Sequence, residues 1–205
     1  MLTTRYKPFF NRCCASTARA LARRGMTPNS VTLLGLALGA VSCLVLVRTR
    51  NIPLFCLLIT LVGLGDALDG AVARVSGRAT KFGAYLDAMA DRYFEAMVAV
   101  SVAYVTGYWL LSCLVLAGAF GISYAKARAA LEVPVTNTEW PDWMERAERD
   151  ALFILGLWLS SVVPWRPGGH DLFYWTLVGL AVATHATVLQ RMRRAHRLIA
   201  ARAER

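Results

Sequence analysis

The fold of this chain is decided by residues 66–91, which read DALDGAVARVSGRATKFGAYLDAMAD. On a helix, residues three and four apart share one face. The first half of the stretch places two carboxylates and two small residues at this spacing: Asp66, Asp69, Gly70 and Ala73. After a turn at Gly77, a second helix repeats the steps of four with Gly83, Asp87 and Asp91. If this helix folds back on the first, four carboxylates come together.

Four carboxylates predict a metal site. They cannot all stay ionised in one apolar pocket without cations. Oxygen ligands select hard ions such as Mg²⁺ or Mn²⁺, and a cluster this rich can hold two of them, an arrangement suited to phosphoryl transfer. The alternative is a solvated helix face. It is disfavoured because the carboxylates lie in or beside runs of Leu, Ile, Val, Ala and Phe, where ionisable groups are costly.

The same residues resemble the signature of the CDP-alcohol phosphatidyltransferase family, D-x2-D-G-x2-A-R-x8-G-x3-D-x3-D, without a gap. The resemblance implies an integral membrane enzyme that displaces CMP from a CDP-linked lipid or alcohol. It implies two divalent metals held by Asp66, Asp69, Asp87 and Asp91. In the family the last of these, Asp91, is also the favoured general base, in agreement with its place at the end of the acidic row.

The resemblance also implies where the CDP-lipid binds. Gly70 and Ala73 would let the cytidine approach the helix backbone, and Arg74 would neutralise a phosphate. Asp69 and Gly83 complete the motif side of this site. Asn29 and Thr32, which precede the motif, are further candidates for nucleotide contact; the alternative is that they serve as an N-cap and a packing residue.

Composition agrees with a membrane protein. The chain has 205 residues, of which 57% are hydrophobic, and a net charge of +10, and its mean hydropathy is +0.45. This length and composition predict one membrane domain over residues 1–205. The positive charge indicates contact with anionic phospholipid and not with nucleic acid, because no base-reading motif is present.

The predicted fold is an all-α bundle of six transmembrane helices preceded by an amphipathic helix. Residues 1–25 are basic and amphipathic, as in a helix at the membrane surface. The expected spans are about 28–47, 53–76, 81–106, 108–132, 143–163 and 171–195. Lys and Arg concentrate at both termini and in two connections, so the positive-inside rule places these and the Asp cluster on the cytoplasmic side of the cell membrane.

Three cations point to the acceptor. The segments around Lys126, Arg149 and Arg191 resemble those of family members that use inositol 1-phosphate, where a Lys and two Arg bind its phosphate; Arg146 is a further candidate. The Asp91-Arg92 pair stands where relatives that use glycerol phosphate have Asp-Lys. The loop over residues 130–142 departs from the resemblance. The alternative reading is that these cations merely flank the spans.

Several alternatives remain open. The acceptor could be glycerol 3-phosphate, free inositol or serine, although free alcohols would leave the three cations without a partner. The donor could carry diacyl chains, as in CDP-diacylglycerol, or archaeal ether chains. A different class is a membrane carrier or channel with Asp residues in the bilayer, but it predicts polar residues on several spans. We expect a homodimer, as in family members, because six short helices leave one protomer little apolar packing.

Overall fold

The structure is a computed structural model that describes residues 16–133 and 146–203. Every regular element within these ranges is helical, so the all-α prediction is confirmed. The first fifteen residues of the predicted surface helix, most of the 130–142 loop and the side chain of Asp66 lie outside the described part. A short helix, α1, covers residues 16–23. The others are α2 Pro28–Thr49, α3 Ile52–Ser76, α4 Lys81–Thr106, α5 Trp109–Glu132, α6 Arg146–Val162 and α7 Leu172–Ala203.

Helix boundaries follow local sequence signals. A capping box between Thr27 and Ser30 begins α2, with Pro28 in its first turn. The Asn51 side chain caps α3 by accepting a hydrogen bond from the Leu54 amide. Gly77 ends α3 in a left-handed conformation, with φ of 64°. Helix α7 continues to Ala203, beyond the predicted end of the last span, because the Arg- and Ala-rich tail has high helix propensity.

Four of these helices are long and apolar enough to cross a membrane: α2, α3, α5 and α7. Within the described residues, α4 and α6 do not join this set. Helix α4 carries charged residues in its first half, and the described part of α6 has 17 residues. The structure and composition therefore establish a helical membrane protein, and the count of six spans stays a prediction.

The first compact unit, Met1–Ser101, contains α1 to α3 and most of α4. Helix α2 packs along α3. A small apolar core joins α1 to both of them and consists of Ala18, Val31, Ala71 and Val72, with Leu21, Met26 and Leu68 packed against it. Gly39 faces the ring of Phe94 so closely that a Cβ atom there would clash. These contacts hold the first half of the motif beside the start of α2.

The second compact unit, Val102–Arg205, contains α5, α6 and α7. Helix α7 packs against both α5 and α6. Gly118 faces Thr184 and Gly156 faces Thr176, and neither glycine has room for a Cβ atom. Small residues at such positions let helix backbones approach closely, which is the usual way in which membrane helices associate.

Candidate active site

The first half of the motif is tied to the start of α2 through Asp69. This carboxylate is buried, with 9% of the residue exposed. The Thr32 hydroxyl donates a hydrogen bond of 2.7 Å to Asp69 Oδ2, and the amide of Gly70 donates to Oδ1. A buried carboxylate is stable as an anion only when it is hydrogen-bonded or paired with a cation. Asp69 therefore has the surroundings expected of a carboxylate that binds a metal ion at a phosphate site.

The second half of the motif also lies beside α2. Gly83 stands in the first turn of α4, and its amide donates 2.9 Å to Thr80 Oγ1. A Cβ atom at Gly83 would lie only 3.1 Å from Asn29 Oδ1 and from Thr80 Oγ1. The glycine thus leaves room for the Asn29 side chain. Asn29 and Thr32, one turn apart on α2, contact one half of the motif each.

Arg74 lies over the glycine of the motif. Its Nη1 is 3.5 Å from the position that a Cβ atom of Gly70 would take. Arg74 itself is exposed, and its guanidinium lies against the helix face that carries Gly70. This placement suits an anionic ligand that approaches the α3 backbone.

Asp87 and Asp91 lie one turn apart on α4 and are both half-buried. Next to them, Arg92 and Glu95 form an ion pair of 2.8 Å with side-chain exposures of 20% and 11%. Charged groups at this level of burial in a membrane protein are costly, and they commonly mark a functional site.

The donor chemistry of these residues fits Mg²⁺ or Mn²⁺, because it is all carboxylate oxygen. Within the side chains that the structure describes, no group of three or more His, Cys, Asp or Glu is close enough to hold a metal. Asp66, whose position on α3 is three residues before Asp69, is not part of that set. Convergence of all four Asp stays a prediction.

The predicted acceptor residues lie in the second unit, and two of them are buried. Arg149 on α6 and Arg191 on α7 are each 6% exposed, and Lys126 on α5 is half-buried. Arg191 donates from Nη1 to the carbonyl of Ile122. Within the described residues, the buried charged side chains are Asp69, Arg149 and Arg191. Cations that only flank a membrane span are exposed to headgroups and water, so burial favours a binding role.

A family model, described as CDP-alcohol phosphatidyltransferase, matches residues 25–192. This range contains the whole Asp motif and the three acceptor cations. The chain belongs to the CDP-alcohol phosphatidyltransferase family. It is therefore an enzyme, and the resemblance drawn from residues 66–91 is confirmed.

Within this family, the chain is similar to phosphatidylinositol phosphate synthases. The phosphatidylinositol phosphate synthase of Mycolicibacterium smegmatis is 34% identical over 188 residues, which cover 85% of this chain and 80% of the relative. A crystal structure of the Mycobacterium tuberculosis phosphatidylinositol phosphate synthase with CDP-DAG bound has a TM-score of 0.79 and 30% identity, and the match covers 90% of this chain and 94% of that one. The structure of the same M. tuberculosis enzyme in complex with manganese and citrate also has a TM-score of 0.79 and 30% identity. That match covers 89% of this chain and 88% of the other.

The structure adds one polar group to this phosphatidyltransferase that motif analysis assigned no role. Gln190 precedes Arg191 on α7, and its Oε1 is buried with no hydrogen-bond partner in the described part of the chain. Arg146, the additional acceptor candidate, is half-buried, and its Nε lies 3.5 Å from Asp150 Oδ2. The Gln-Arg pair is visible in the sequence, but burial of an acceptor oxygen depends on packing between helices.

Proposed function

We propose that the chain transfers the phosphatidyl group of CDP-diacylglycerol to inositol 1-phosphate, releasing CMP and forming phosphatidylinositol phosphate in phospholipid biosynthesis. The observation that carries the acceptor is the burial of Arg149 and Arg191 in one helical unit. A phosphomonoester binds guanidinium groups with charge-assisted, bidentate hydrogen bonds, and two arginines in one helical unit suit such a ligand. The M. smegmatis and M. tuberculosis relatives named above support the assignment.

The donor site is formed by the motif and the start of α2. Asp69 is held by Thr32, and Gly83 makes room for Asn29, so these residues have fixed positions for nucleotide contact. Gly70 and Ala73 leave the α3 backbone open to the cytidine, and Arg74 lies beside them to bind a phosphate oxygen. The CDP-DAG complex of the M. tuberculosis relative supports this donor.

Asp66, Asp69, Asp87 and Asp91 would hold two Mg²⁺ or Mn²⁺ ions, and the manganese complex of the relative supports a divalent metal. When bound, such ions stabilise negative charge on the pyrophosphate and on the departing CMP. Asp91 takes the proton from the acceptor hydroxyl as its oxygen bonds to the β-phosphorus of CDP-diacylglycerol. The bond from that phosphorus to the bridging oxygen breaks, and the oxygen leaves with CMP.

The acceptor residues act by recognising the phosphate of inositol 1-phosphate. Arg149 and Arg191 supply rigid guanidinium donors, and Lys126 adds a third charge from α5. Arg191 also holds the Ile122 carbonyl, which orients its side chain. Gln190 and Arg146 are positioned as additional polar partners. A phosphorylated acceptor supplies an anion for these three cations and a free alcohol supplies none, and for that reason a phosphorylated acceptor is favoured.

The full architecture belongs to the same proposal. We take residues 1–205 as one catalytic domain with six spans, in which α4 and α6 cross the membrane together with the four apolar helices. Residues 1–25 lie at the membrane surface. Both termini and the active site face the cytoplasm in the cell's inner membrane, because Lys and Arg concentrate there. The assembly is a homodimer.

Release of CMP tests the proposal directly. The purified full chain is mixed with CDP-diacylglycerol, Mg²⁺ and one acceptor at a time: inositol 1-phosphate, glycerol 3-phosphate, free inositol or serine. We expect turnover with inositol 1-phosphate and little with the others. Preference for glycerol 3-phosphate would overturn the acceptor and keep the transfer chemistry. The same assay with donors that carry ether-linked chains tests which lipid is used. CMP release in a reaction that lacks both the acceptor and the metal would overturn the mechanism.

A further inference from the structure

A basic groove lies between α1 and the end of α3, within the first unit. Its volume is about 310 Å³, and its lining combines three arginines with small and apolar side chains. The lining residues are Arg19, Ala22, Arg23, Met26, Val75, Ser76 and Arg78. All three arginines are exposed, and none of the described residues that line the groove is acidic.

The two walls of the groove are formed by α1 and by the end of α3, and each helix is followed by a turn with a backbone hydrogen bond. Helix α1 ends at Gly25, where φ is 80°, and the Met26 amide donates to the Leu21 carbonyl. Helix α3 ends at Gly77, and the Arg78 amide donates to the Ala73 carbonyl. Glycine-terminated helix ends of this kind set the direction of the next residue. Helix α1 therefore presents Arg19 and Arg23, and the ordered turn after α3 presents Arg78.

The groove is distinct from the proposed donor site, because its lining residues include none of the residues assigned to that site. At about 100° per residue, Val75 is about 160° from Ala73 and about 180° from Asp66 around the helix. The Val75 side of α3 also carries Ala71 and Val72, which pack in the core that includes Ala18 of α1. Asp69 shares the face of Ser76, because the two are seven residues apart, but it lies about 10 Å from Ser76 along the helix axis, so the carboxylates lie at another level of α3.

The groove lies at the depth of lipid headgroups. Helix α3 has 25 residues, about 37 Å at about 1.5 Å per residue, while the hydrocarbon core is about 30 Å thick. Its last turn, with Val75 and Ser76, thus reaches the interface. Three arginines around one groove make a positively charged surface, and the anion that a bilayer offers at this depth is a lipid phosphate.

We propose that this groove binds the headgroup phosphate of an anionic phospholipid from the surrounding bilayer. Arg19, Arg23 and Arg78 contact the phosphate through their planar guanidinium groups, which pair with phosphate oxygens. Met26 and Val75 contact the glycerol and the first methylenes of the acyl chains. The volume is in the range of small-ligand sites, about 300 Å³ and larger, which suits a phosphoglycerol headgroup. This lipid is bound as a ligand of the fold and is not consumed.

Direct binding of short-chain lipids tests the groove independently of catalysis. The full chain in detergent is titrated with dioctanoyl phosphatidylglycerol and with dioctanoyl phosphatidylcholine, and binding is followed by native mass spectrometry. Wild type should prefer phosphatidylglycerol. Arg23→Gln or Arg78→Gln should weaken phosphatidylglycerol binding roughly threefold, and the double variant roughly tenfold, as for exposed ion pairs. Arg23→Lys should retain most of the affinity.

The matched control is Arg24→Gln, which removes an exposed arginine next to Arg23 that does not line the groove. Its phosphatidylglycerol affinity should equal that of wild type. An equal loss in Arg24→Gln would show that only total charge matters and would overturn the site. Equal affinity of wild type for the two lipids would overturn it as well. Displacement of phosphatidylglycerol by the same concentration of inorganic phosphate would overturn the assignment to a lipid. Unchanged CD spectra in the Gln variants confirm that lost binding is not lost folding.

Discussion

Thr32 on α2 donates a hydrogen bond of 2.7 Å to Asp69 on α3, across 37 residues of sequence. The bond joins the first apolar helix to the first half of the Asp motif. It satisfies one oxygen of a buried carboxylate and leaves the hydroxyl in the proposed donor site. The start of α2 therefore helps to position the motif as well as to cap a helix.

Replacing Thr32 by Val should remove this bond without changing the side-chain shape. A hydrogen bond to a charged group contributes about 1.5 to 3 kcal/mol, so we expect the KM for CDP-diacylglycerol or the Mg²⁺ requirement to rise by roughly one to two orders of magnitude. Titration of CMP release with each component measures both. Thr32→Ser keeps the hydroxyl and should behave like wild type; equal loss in both variants would assign the effect to packing.

The proposed general base predicts a separation of binding from turnover. Asp91→Asn should fold and bind CDP-diacylglycerol, while kcat falls on the order of 10²- to 10⁴-fold, the usual contribution of general base catalysis. Asp66→Ala and Asp87→Ala should abolish CMP release through loss of metal, with Mg²⁺ or Mn²⁺ unable to restore it. Full activity of Asp91→Asn would show that Asp91 is not the general base.

The acceptor cations predict a selective effect on one substrate. Arg149→Gln, Arg191→Gln or Lys126→Gln should raise the KM for inositol 1-phosphate by roughly one to two orders of magnitude, because each removes a charge-assisted bond of about 1.5 to 3 kcal/mol. The KM for CDP-diacylglycerol should barely change. Initial rates of CMP release over a matrix of both substrates separate the two.

Arg193 supplies a matched control for those variants, because it lies two residues after Arg191 on α7 and is exposed. Arg193→Gln should leave both KM values as in wild type. Arg191 also bonds to the Ile122 carbonyl, so thermal stability is measured beside the kinetics. A lower melting temperature with an unchanged KM for inositol 1-phosphate would assign Arg191 to helix packing instead.

The contact between α5 and α7 predicts a stability effect at residues to which no ligand role is assigned. A Cβ atom at Gly118 would collide with Thr184, whereas Gly179 on α7 has no described atom within 4 Å of such a Cβ atom. Gly118→Ala should lower the free energy of unfolding by about 1 to 3 kcal/mol, the cost of overpacking. Gly179→Ala should be neutral or slightly stabilising. Thermal unfolding in detergent measures both, and equal melting temperatures would contradict the tight contact.

The proposed homodimer predicts a molar mass. One chain has a mass of 22.5 kDa, so light scattering of purified protein, corrected for detergent, should give about twice this value. The apolar helices expose many large side chains, which leaves surface for lipid and for a second copy. A fully active, monodisperse monomer in nanodiscs would count against the dimer.

Local chemistry made the helices and the family predictable. The pairs Thr27-Pro28 and Asn51-Pro53 and the glycine at 77 act through neighbouring backbone groups, so their effect is readable from the chain. The spacing of the four Asp is likewise a property of one stretch. Six spans were expected from apolar runs, yet the charges on α4 lower its hydropathy, so length and composition single out four helices.

Burial and contacts between distant residues depended on tertiary packing. The chain carries 23 Lys and Arg, and nothing in their spacing marks Arg149 and Arg191 as buried or Arg193 as exposed. The same holds for contacts between helices: Thr32 bonds to Asp69, and Arg23 and Arg78 line one groove, although each pair is far apart in sequence. Burial of the Gln190 oxygen also depends on how the helices pack. Periodicity specifies which face a residue occupies on its own helix, but the partner of that face is chosen only when side chains interdigitate.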